Sequence, residues 1–422
     1  MGRFDSYFLM ATGDVPDYVR LKTDIFAKDE ALHCVEFGDG NVNFIFRVSG
    51  KNKSVIIKQA GNATRLDNTW KISTDRGRIE AEYLSVQEKL NPGKTVKIYH
   101  YDTVMCAIIM EDLSDYDVLR KALLKRKTFP HLADHISEYI VNSFFLTSDI
   151  TVNHEEKKAL VKQFINPPMC DIMEKLIYTE PYNDIYNRNR ILPQNICFVQ
   201  EEFYGDSALH LEAAKLKFEY LNSAESLIHG DLHTSSFFVR GDEIKVFDTE
   251  FAFFGPAGYD LGDIVAHLFF AWANADAEFA SDTFKDYVLN TIADIIDMFI
   301  KKFKVRFSEY ANDVMAKASG FADWYLEKIL STAAGSCGLE LARRTIGMSY
   351  VEDLVGIKDE SRRERAERLM LRLSKYFTLN RKKIRTGEDY ISAVKHTVFE
   401  EDVWKRGKRF YNDTVNDKIV MV

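Results

Sequence analysis

The amino-acid sequence predicts an α+β fold, with a small β-rich N-terminal lobe over residues 1–113 and a larger, mainly α-helical C-terminal lobe over residues 114–422. Three observations lead to this prediction. Short runs of β-branched residues dominate before residue 114, whereas apolar residues recur at helical spacing after it. The chain has only 8 prolines, which favours long helices because proline interrupts them. No repeat or low-complexity linker divides the chain into independent domains.

The composition argues against several classes of protein. Hydrophobic residues make up 46% of the chain and charged residues 28%, which is typical of a globular protein. The 64 acidic residues outnumber the 56 basic ones, and the net charge of -8 argues against nucleic-acid binding. No apolar stretch approaches the roughly 18 residues of a membrane-spanning helix. We therefore expect neither a nucleic-acid partner nor a membrane partner.

The cysteines and the N-terminus indicate a cytoplasmic protein. The 5 cysteines are scattered and never spaced CxxC, which argues against a disulfide framework and a zinc knuckle. The N-terminus does not resemble a signal or transit peptide. The first six residues match the bare myristoylation pattern at Gly2, but no polybasic patch follows, and one acyl chain anchors a protein only weakly. An unacylated protein is therefore favoured.

The N-terminal lobe is predicted to contain a five-stranded antiparallel sheet and one helix. The β-rich runs are 34–37, 44–48, 54–59, 95–100 and 104–110. The turn-rich residues between the first two runs indicate a hairpin. Thr74 or Asp75 can cap the helix. The apolar face of this helix comprises Ile79, Tyr83, Val86 and Leu90.

The C-terminal lobe is predicted to be helical apart from one small hairpin. Helical spacing is found over 115–126, 131–147, 155–178, 207–225, 259–275, 280–305, 308–319, 321–345 and 359–376. Between 227 and 254, two short β-rich runs (237–239 and 244–247) bracket Gly241 and Asp242, which indicates a hairpin. The residues from Lys382 onwards match no pattern that predicts their role.

The strongest functional signal is a pair of acidic motifs, HGDLH at 229–233 and FDTE at 247–250. Phosphoryl transfer from ATP to a hydroxyl needs a carboxylate that accepts the proton, and further carboxylates that hold Mg²⁺ against the phosphates. We assign Asp231 as the catalytic base and Asp248 and Glu250 as metal ligands. With Thr249 between them, the two ligands also belong to the ATP site. Each motif follows a strand-like run, so Asp231 and Asp248 are expected on neighbouring strands at one edge of a sheet.

Two other interpretations of these motifs compete with this assignment. His229 and His233 are four residues apart and would form a zinc pair on a helix, but Gly230 and the strand pattern argue against a helix and no third ligand is present. Asp248 and Glu250 alone would be ordinary solvated loop residues. Their spacing from HGDLH and their Phe-rich flanks favour a functional role.

The position five residues after Asp231 distinguishes this chain from many kinases. It is Ser236, where protein kinases and aminoglycoside phosphotransferases have an Asn that binds a second Mg²⁺. The residue two after Asp248 is Glu250, where protein kinases have Gly. Because a hard cation prefers anionic oxygen, Glu250 can supply the ligand that Ser236 does not.

The nucleotide phosphates are assigned to a glycine turn and a lysine. Gly38 and Gly40 allow backbone N–H groups to approach phosphates, and Asn41 adds a side-chain donor. This turn is not a complete GxGxxG and would alone be an ordinary hairpin turn. Lys58 ends the strand-like sequence VIIK, close to the kinase pattern V-A-I-K, and is assigned to phosphate binding.

The ion-pair partner of Lys58 and the adenine contact are assigned by position. Glu80 on the following helix is the predicted partner, with Glu82 as a rival, and an exposed helical charge is the alternative for both. Glu111, Asp112 and Leu113 end the last strand of the lobe, where a hinge whose backbone meets adenine is expected.

Together the motifs resemble those of the 5-methylthioribose kinases, a family related to aminoglycoside phosphotransferases and choline kinases. The family's catalytic loop reads like HGDLHTGS (here 229–236), its metal motif is DxE followed by FAF(Y/F)GP (248–256), its nucleotide loop is GDGN(L/V)N (38–43), and it carries RRTIG (343–347). Choline kinases and aminoglycoside phosphotransferases do not combine Ser at position 236 with DxE. The chain departs from the family at Thr249, where Pro is usual, and at Ser235, where Gly is expected.

The resemblance implies a bilobal protein-kinase-like fold and a specific reaction. The implied reaction is ATP-dependent phosphorylation of 5-methylthioribose at its anomeric hydroxyl, in methionine salvage, with Mg²⁺ and usually as a homodimer. Asp231, His233, Arg343 and Arg344 are the implied substrate-binding residues. The alternative for the two arginines is a solvated helix end, since adjacent helical residues point in different directions and both can hardly face one site.

Three rival functions remain open from the sequence. Another small-molecule kinase of the same fold would act on an aminoglycoside, choline or another sugar, but the arginine pair does not suit a cationic substrate. A pseudokinase scaffold would carry a damaged catalytic set, whereas the predicted set is complete. A protein kinase would need an activation loop and an APE-like segment, which the sequence lacks.

Overall fold

The computed structural model describes residues 2–37, 42–63 and 71–419. The glycine turn assigned to the phosphates, with Gly38, Gly40 and Asn41, lies outside the described residues. The strands are β1 (His33–Phe37), β2 (Asn43–Ser49), β3 (Ser54–Ala60), β4 (Ile98–Asp102), β5 (Ala107–Glu111), β6 (Asp117–Val118), β7 (Ser226–Ile228), β8 (Phe237–Arg240), β9 (Glu243–Val246) and β10 (Phe253–Gly255).

The helices vary from single turns to more than thirty residues. They are α1 (Val15–Lys22), α2 (Arg76–Leu90), α3 (Leu119–Leu124), α4 (Leu132–Phe145), α5 (His154–Gln163), α6 (Pro167–Tyr178), α7 (Glu180–Asn183), α8 (Ile196–Val199), α9 (Ser207–Asn222), α10 (Tyr259–Ala277), α11 (Asp282–Tyr310), α12 (Phe321–Ile346), α13 (Glu352–Val355), α14 (Glu360–Asn380) and α15 (Gly387–Ile419). Among the described helices, none combines the length and the apolar composition that crossing a membrane requires.

The chain forms two compact units, each built from several segments. The first unit comprises Met1–Leu119, Val141–Ile172 and Ala224–Gly255, and the second Arg120–Ile140, Met173–Ser223 and Pro256–Val422. The first unit thus contains the sheet-rich N-terminal part together with both acidic motifs. The second unit is almost entirely helical. A lobe boundary at residue 113 stays a prediction.

A five-stranded antiparallel sheet with the order β1-β2-β3-β5-β4 lies in the first unit, which confirms the predicted α+β class. Successive side chains of a strand point to opposite faces of the sheet. In β3, Val55 and Ile57 pack into one core, whereas Ile56 packs towards a second core that includes Ala81 of α2. Lys58 has the same parity as Ile56, so it extends from the face that carries α2.

The other face of this sheet is covered by the N-terminal segment, for which the sequence pattern predicts no structure. This segment includes α1, so the prediction of one helix before residue 114 is wrong. Phe4 and Tyr18 pack into the core formed by the sheet. The fully buried Gln59 donates from Nε2 to the carbonyl of Phe8 at 2.8 Å and accepts the amide of Met10 at 3.0 Å. Both faces of the strand that carries Lys58 are therefore buried.

Two smaller sheets carry the acidic motifs. β8 and β9 form the predicted hairpin, which β6 extends. β7, which precedes Asp231, pairs with β10 instead, whereas β9 precedes Asp248. The expectation that Asp231 and Asp248 follow neighbouring strands of one sheet is therefore wrong. The chain turns back after Asp248 to place β10 beside β7, and a hydrogen bond between the His229 side chain and the Phe247 carbonyl joins the two motifs.

The helical part departs from the predicted segments in three places. The predicted helix 115–126 is wrong at its start, where β6 (Asp117–Val118) is a strand, and only Leu119–Leu124 is helical within it. The predicted segment 155–178 forms two helices, because Pro167 and Pro168 begin α6 and proline cannot continue a preceding helix. The predicted helix 308–319 is absent beyond Tyr310, where α11 ends, and residues 311–320 form turns. These turns end at Gly320, whose φ of 83° suits glycine.

The C-terminal residues, for which the sequence predicts nothing, form the long helix α15. Tyr390 and Val394 of this helix are buried at 1% and 3% exposure. Glu401 is fully buried and accepts a hydrogen bond of 2.8 Å from Nε of Arg368 in α14. The segment is therefore part of the core of the second unit.

Candidate active site

His229 and Gly230 shape the turn that presents Asp231 after β7. The buried His229 lies with Nε2 3.0 Å from the carbonyl of Phe247 and accepts the Asp231 amide at Nδ1, at 3.3 Å. Accepting at one ring nitrogen while donating from the other is a property of the neutral imidazole. Burial lowers the pKa of His229, which favours that neutral form. Gly230 has a φ of 83°, and a Cβ there would lie 2.4 Å from the carbonyl oxygen of Phe251, so only glycine fits.

Asp231, His233 and Ser236 form a compact group inside this loop. Oδ2 of Asp231 lies 3.4 Å from Nε2 of His233. The Ser236 hydroxyl donates to the Asp231 carbonyl at 3.1 Å and lies 2.9 Å from Nδ1 of His233. Ser236 is thus used within the loop, which agrees with the interpretation that it does not replace the second-metal Asn of other kinases. The zinc alternative is disfavoured because both ring nitrogens of His229 bond the backbone.

Lys58 brings together two of the predicted carboxylates. Its Nζ lies 2.8 Å from Oε2 of Glu80 and 2.5 Å from Oδ1 of Asp248. The rival partner Glu82 contacts Arg78 instead, at 2.8 Å. Lys58 and Glu80 are buried, whereas 43% of the Asp248 side chain is exposed. Asp248 also has a φ of 63°, a left-handed conformation that is rare outside glycine and concentrates at functional sites.

The pKa values of this cluster shift in different directions, because one ammonium group lies near several carboxylates. Burial alone lowers the pKa of Lys58, but Asp248, Glu80 and Glu250 outweigh it and raise that pKa. Burial raises the pKa of Glu80 to about 7, although Lys58 opposes this change. At Asp248 burial acts in the same direction, but the nearby Lys58 prevails and holds the pKa below its ordinary value. Lys58 therefore stays cationic, as phosphate binding requires.

Glu250 is held by two side chains that the sequence motifs do not assign. Nε of Arg76 donates to Oε2 at 2.9 Å, and Nδ2 of Asn43 donates to the same oxygen at 3.1 Å. The backbone carbonyl of Glu250 accepts Nδ2 of Asn166 at 2.9 Å. Within the described part of the chain, Oε1 of Glu250 accepts no hydrogen bond. Asn43 is the last residue of the nucleotide-loop motif, which indicates only weakly that it has a role in the site. Nothing in the local sequence indicates that Arg76 is buried.

The predicted hinge residues are engaged through their side chains. Oε1 of Glu111 accepts Nζ of Lys245 at 2.6 Å. The carboxylate of Asp112 pairs with Nε of Arg47 at 2.8 Å, and Leu113 is buried with 7% exposure. These contacts fix the end of β5. A backbone contact of this segment with adenine stays a prediction.

Arg343 and Arg344 lie in the last turn of α12, in the second unit. Nη1 of Arg343 donates to Oε2 of Glu340 at 3.0 Å, and Nε of Arg344 donates to Oε1 at 2.6 Å. Both arginines are buried, with 4% and 8% exposure, which contradicts a solvated helix end. Both bond Glu340, which lies three and four residues before them on the helix. The expectation that both can hardly face one substrate site stays a prediction. Burial alone would raise the pKa of Glu340, but the two arginines hold it well below its usual range.

A cluster of ligand-type side chains lies next to this arginine pair. One ligand atom each of Asp263, His267 and Glu340 lies within 4.8 Å of the others. Nδ1 of His267 faces Nη2 of Arg120 at 2.7 Å, and its Nε2 lies 3.0 Å from Oε1 of Glu340. Arginine only donates, so Nδ1 accepts and Nε2 carries the proton that Glu340 accepts. Nε2 then has no lone pair for a metal, and the cluster is a buried ionic network.

Comparison with known proteins decides the family. Residues 168–291 match the family described as "Phosphotransferase enzyme family". The chain is 35% identical over 383 residues to the methylthioribose kinase of Bacillus pumilus (strain SAFR-032), which covers 90% of this chain and 95% of that protein. It is 33% identical over 396 residues to the methylthioribose kinase of Citrobacter koseri, with 92% and 98% covered. The chain belongs to the methylthioribose kinase family. The solved structure of a choline kinase from Cryptosporidium parvum Iowa II aligns over 92% of this chain and 97% of that chain, with a TM-score of 0.47 and 12% identity.

Membership of the methylthioribose kinase family confirms the resemblance, the kinase class and the protein-kinase-like fold predicted from the motifs. It also implies ATP, a small-molecule sugar and a divalent cation as partners of the site. The donor set in the first unit fits such a cation. Asp248 and Glu250 supply hard anionic oxygens, Asp248 is partly exposed, and each carboxylate has one oxygen outside the contacts with Lys58 and Arg76.

Proposed function

We propose that this protein transfers the γ-phosphate of ATP to the anomeric hydroxyl of 5-methylthioribose, giving 5-methylthioribose 1-phosphate in methionine salvage. The observation that carries the proposal is the contact of Lys58 with both Glu80 and Asp248 in the unit that also holds Asp231. The named methylthioribose kinases that align with most of this chain support the choice of sugar.

Asp231 is the proposed catalytic base. It orients the sugar hydroxyl and accepts its proton as the oxygen bonds to the γ-phosphorus and the bond to the bridging oxygen of ADP breaks. His233 is proposed to contact the same hydroxyl, and its Nε2 lying 3.4 Å from Oδ2 of Asp231 supports this proposal. The loop bonds around Ser236 support this role because they fix the carbonyl of Asp231 and the His233 ring together.

ATP is proposed to bind through residues of the first unit. Lys58 contacts the phosphates, supported by Glu80, and Asp248 and Glu250 hold Mg²⁺ with Thr249 between them. When bound, Mg²⁺ neutralises charge on the phosphates during transfer. Gly38, Gly40 and Asn41 are proposed to cover the phosphates, and the backbone of Glu111, Asp112 and Leu113 to meet adenine.

Arg343 and Arg344 are proposed to bind the sugar substrate or the γ-phosphate. Two guanidinium groups share the single carboxylate of Glu340, so the group of three carries a net positive charge. A positive group suits the charge that moves during phosphoryl transfer and does not suit a cationic aminoglycoside or choline. We further propose a cytoplasmic homodimer.

A product assay tests the proposed function directly. The purified full-length chain is incubated with ATP, Mg²⁺ and one acceptor at a time: methylthioribose, ribose, choline or an aminoglycoside. We expect ADP release with methylthioribose, and a ³¹P NMR signal coupled to the anomeric proton of the product. Turnover with another acceptor and none with methylthioribose would refute the proposed substrate, whereas phosphate on another carbon would refute the proposed position.

A further inference from the structure

Arg76 makes an unusually complete set of hydrogen bonds at the start of α2. Its side chain is fully buried, with 1% exposure. Nε donates to Glu250, Nη1 donates to the carbonyls of Gly61 (2.8 Å) and Ser73 (2.7 Å), and Nη2 donates to the carbonyl of Val42 and to Oδ1 of Asn43, both at 3.0 Å. A guanidinium group has five N–H donors, and all of them are used here.

Asn43 closes a ring with Arg76 and Glu250. Its Oδ1 accepts from Nη2 of Arg76, while its Nδ2 donates to Oε2 of Glu250 at 3.1 Å. Oε2 therefore accepts two hydrogen bonds, one of them from the cationic guanidinium of Arg76, and cannot readily turn away from them. The other carboxylate oxygen, Oε1, lies outside this ring.

The segments that Arg76 joins are those that surround the proposed ATP phosphates. Val42 and Asn43 directly follow the glycine turn, and Gly61 directly follows the strand of Lys58. Glu250 ends the metal motif, 174 residues away from Arg76 in the sequence. One buried cation thus fixes the start of β2, the end of β3 and the metal motif in a single arrangement.

We infer that Arg76 and Asn43 are positioning residues that hold Oε2 of Glu250 and leave Oε1 as the oxygen offered to the divalent cation. The inference rests on the proposed function, in which Glu250 is a metal ligand. Groups that orient a metal ligand typically change metal affinity about 10- to 100-fold when they are lost. Lysine cannot replace Arg76, because an ammonium has three donors and lacks the planar fork that reaches all five acceptors.

The test measures Mn²⁺ binding to the full-length chain in the presence of ADP, by electron paramagnetic resonance, so that no sugar turnover is needed. We expect Arg76→Lys to weaken Mn²⁺ binding about 10- to 100-fold. Arg78→Lys is the matched control, because Arg78 lies two residues away on the same helix. Among the described residues it bonds the partly exposed Asp75 and Glu82 and the carbonyl of Gln163, and no others. We expect this control to bind Mn²⁺ like the wild type.

A second measurement separates positioning from general stability. If Arg76 acts through Glu250, then Glu250→Gln and the double variant Arg76→Lys/Glu250→Gln should bind Mn²⁺ equally weakly. If Arg76→Lys binds Mn²⁺ as tightly as the wild type but has a lowered melting temperature, the inference is overturned and the role of Arg76 is structural. If Arg76→Lys does not fold, Asn43→Ala removes one donor to Oε2, and unchanged Mn²⁺ affinity in that variant also overturns it. Failure of the wild type to bind Mn²⁺ with ADP would count against the proposed function itself.

Discussion

His229 joins the two acidic motifs through the carbonyl of Phe247, which lies 3.0 Å from its Nε2. The same ring accepts the amide of Asp231 at Nδ1. Because Phe247 precedes Asp248, one neutral imidazole sets the position of the proposed base relative to the proposed metal ligand. This bond replaces the strand pairing that the sequence suggested, and it explains why a His stands two residues before Asp231.

Replacing Asp231 by Asn should remove turnover while leaving ATP binding intact. Loss of a general base typically lowers kcat about 10²- to 10⁴-fold, and Asn keeps the shape of the side chain. The measurement is kcat with methylthioribose, together with ADP affinity by calorimetry. Asp242→Asn, in the exposed turn between β8 and β9, is the control and should retain full kcat. Substantial activity in Asp231→Asn would mean that another group accepts the proton.

Replacing Glu80 by Gln should weaken ATP binding more than sugar binding. Lys58 would lose the carboxylate of Glu80, one of the two carboxylates that it contacts among the described residues, and a hydrogen bond to a charged group contributes roughly 1.5–3 kcal/mol. We expect the KM for ATP to rise about tenfold or more while the KM for the sugar changes little. Glu82→Gln is the matched control, since Glu82 pairs with Arg78 on the same helix. Equal effects of both variants would show that the contact with Lys58 has no special role.

Local patterns predicted the elements that carry the candidate site residues. The strand that carries Lys58, the helix that carries Glu80 and the loop of Asp231 are each indicated by a few neighbouring residues, through alternation, helical spacing or a motif. The side chains that bind Glu250 are not indicated by neighbouring residues, because Asn43 is 207 residues away from Glu250 in the sequence. Long-range contacts of this kind leave no local periodicity.

The sequence pattern does not predict other features, because they are too short to show a period or resemble exposed surface residues. β7 and β10 have three residues each, too few to show a period of two. In α15, the fully buried Glu401 looks like an exposed helical charge until its bond with Arg368 is known. The split of 155–178 into two helices follows from Pro167 and Pro168, because proline ends a helical pattern at the preceding residue even where the apolar spacing continues.

Replacing Glu340 by Gln should disturb the arginine pair. The buried Arg343 and Arg344 would lose the carboxylate that they share, and removing one side of a buried ion pair costs about 3–5 kcal/mol. If the arginines bind the sugar, the KM for methylthioribose should rise more than the KM for ATP. Glu327→Gln, on the same helix with a side chain 63% exposed, is the control. A lowered melting temperature with unchanged KM for the sugar would assign the pair to stability alone.

Replacing Glu401 by Gln should destabilise the second unit. Glu401 is fully buried and accepts Nε of Arg368 at 2.8 Å and Nε of Arg372 at 3.2 Å. Loss of its charge should lower the free energy of unfolding by about 2–3 kcal/mol, measured by chemical denaturation. The adjacent Glu400→Gln changes a side chain that is 45% exposed and should have little effect. Equal stabilities of the two variants would show that α15 contributes little to the core.

Asp353 should make the stability of the protein depend on pH. The carboxylate is buried, and Nε of Arg120 lies 3.3 Å from Oδ2. Burial raises the pKa of Asp353 from 3.8 to about 6, although Arg120 opposes this change. The folded state therefore binds the proton more tightly than the unfolded state, so stability falls as pH rises from about 4 through about 6.

Asp353→Asn removes this titration, and its effect should grow with pH. The difference between a pKa of about 6 and 3.8 is about 2.2 units, which corresponds to about 3 kcal/mol. We expect the free energy of unfolding of Asp353→Asn, relative to wild type, to rise by about this amount between pH 4 and pH 7. Asp286→Asn, at an exposed position of α11, controls for the loss of a carboxylate. A difference that does not change with pH would show that Asp353 does not titrate in this range, because its charge would then be balanced by Arg120 in the folded state.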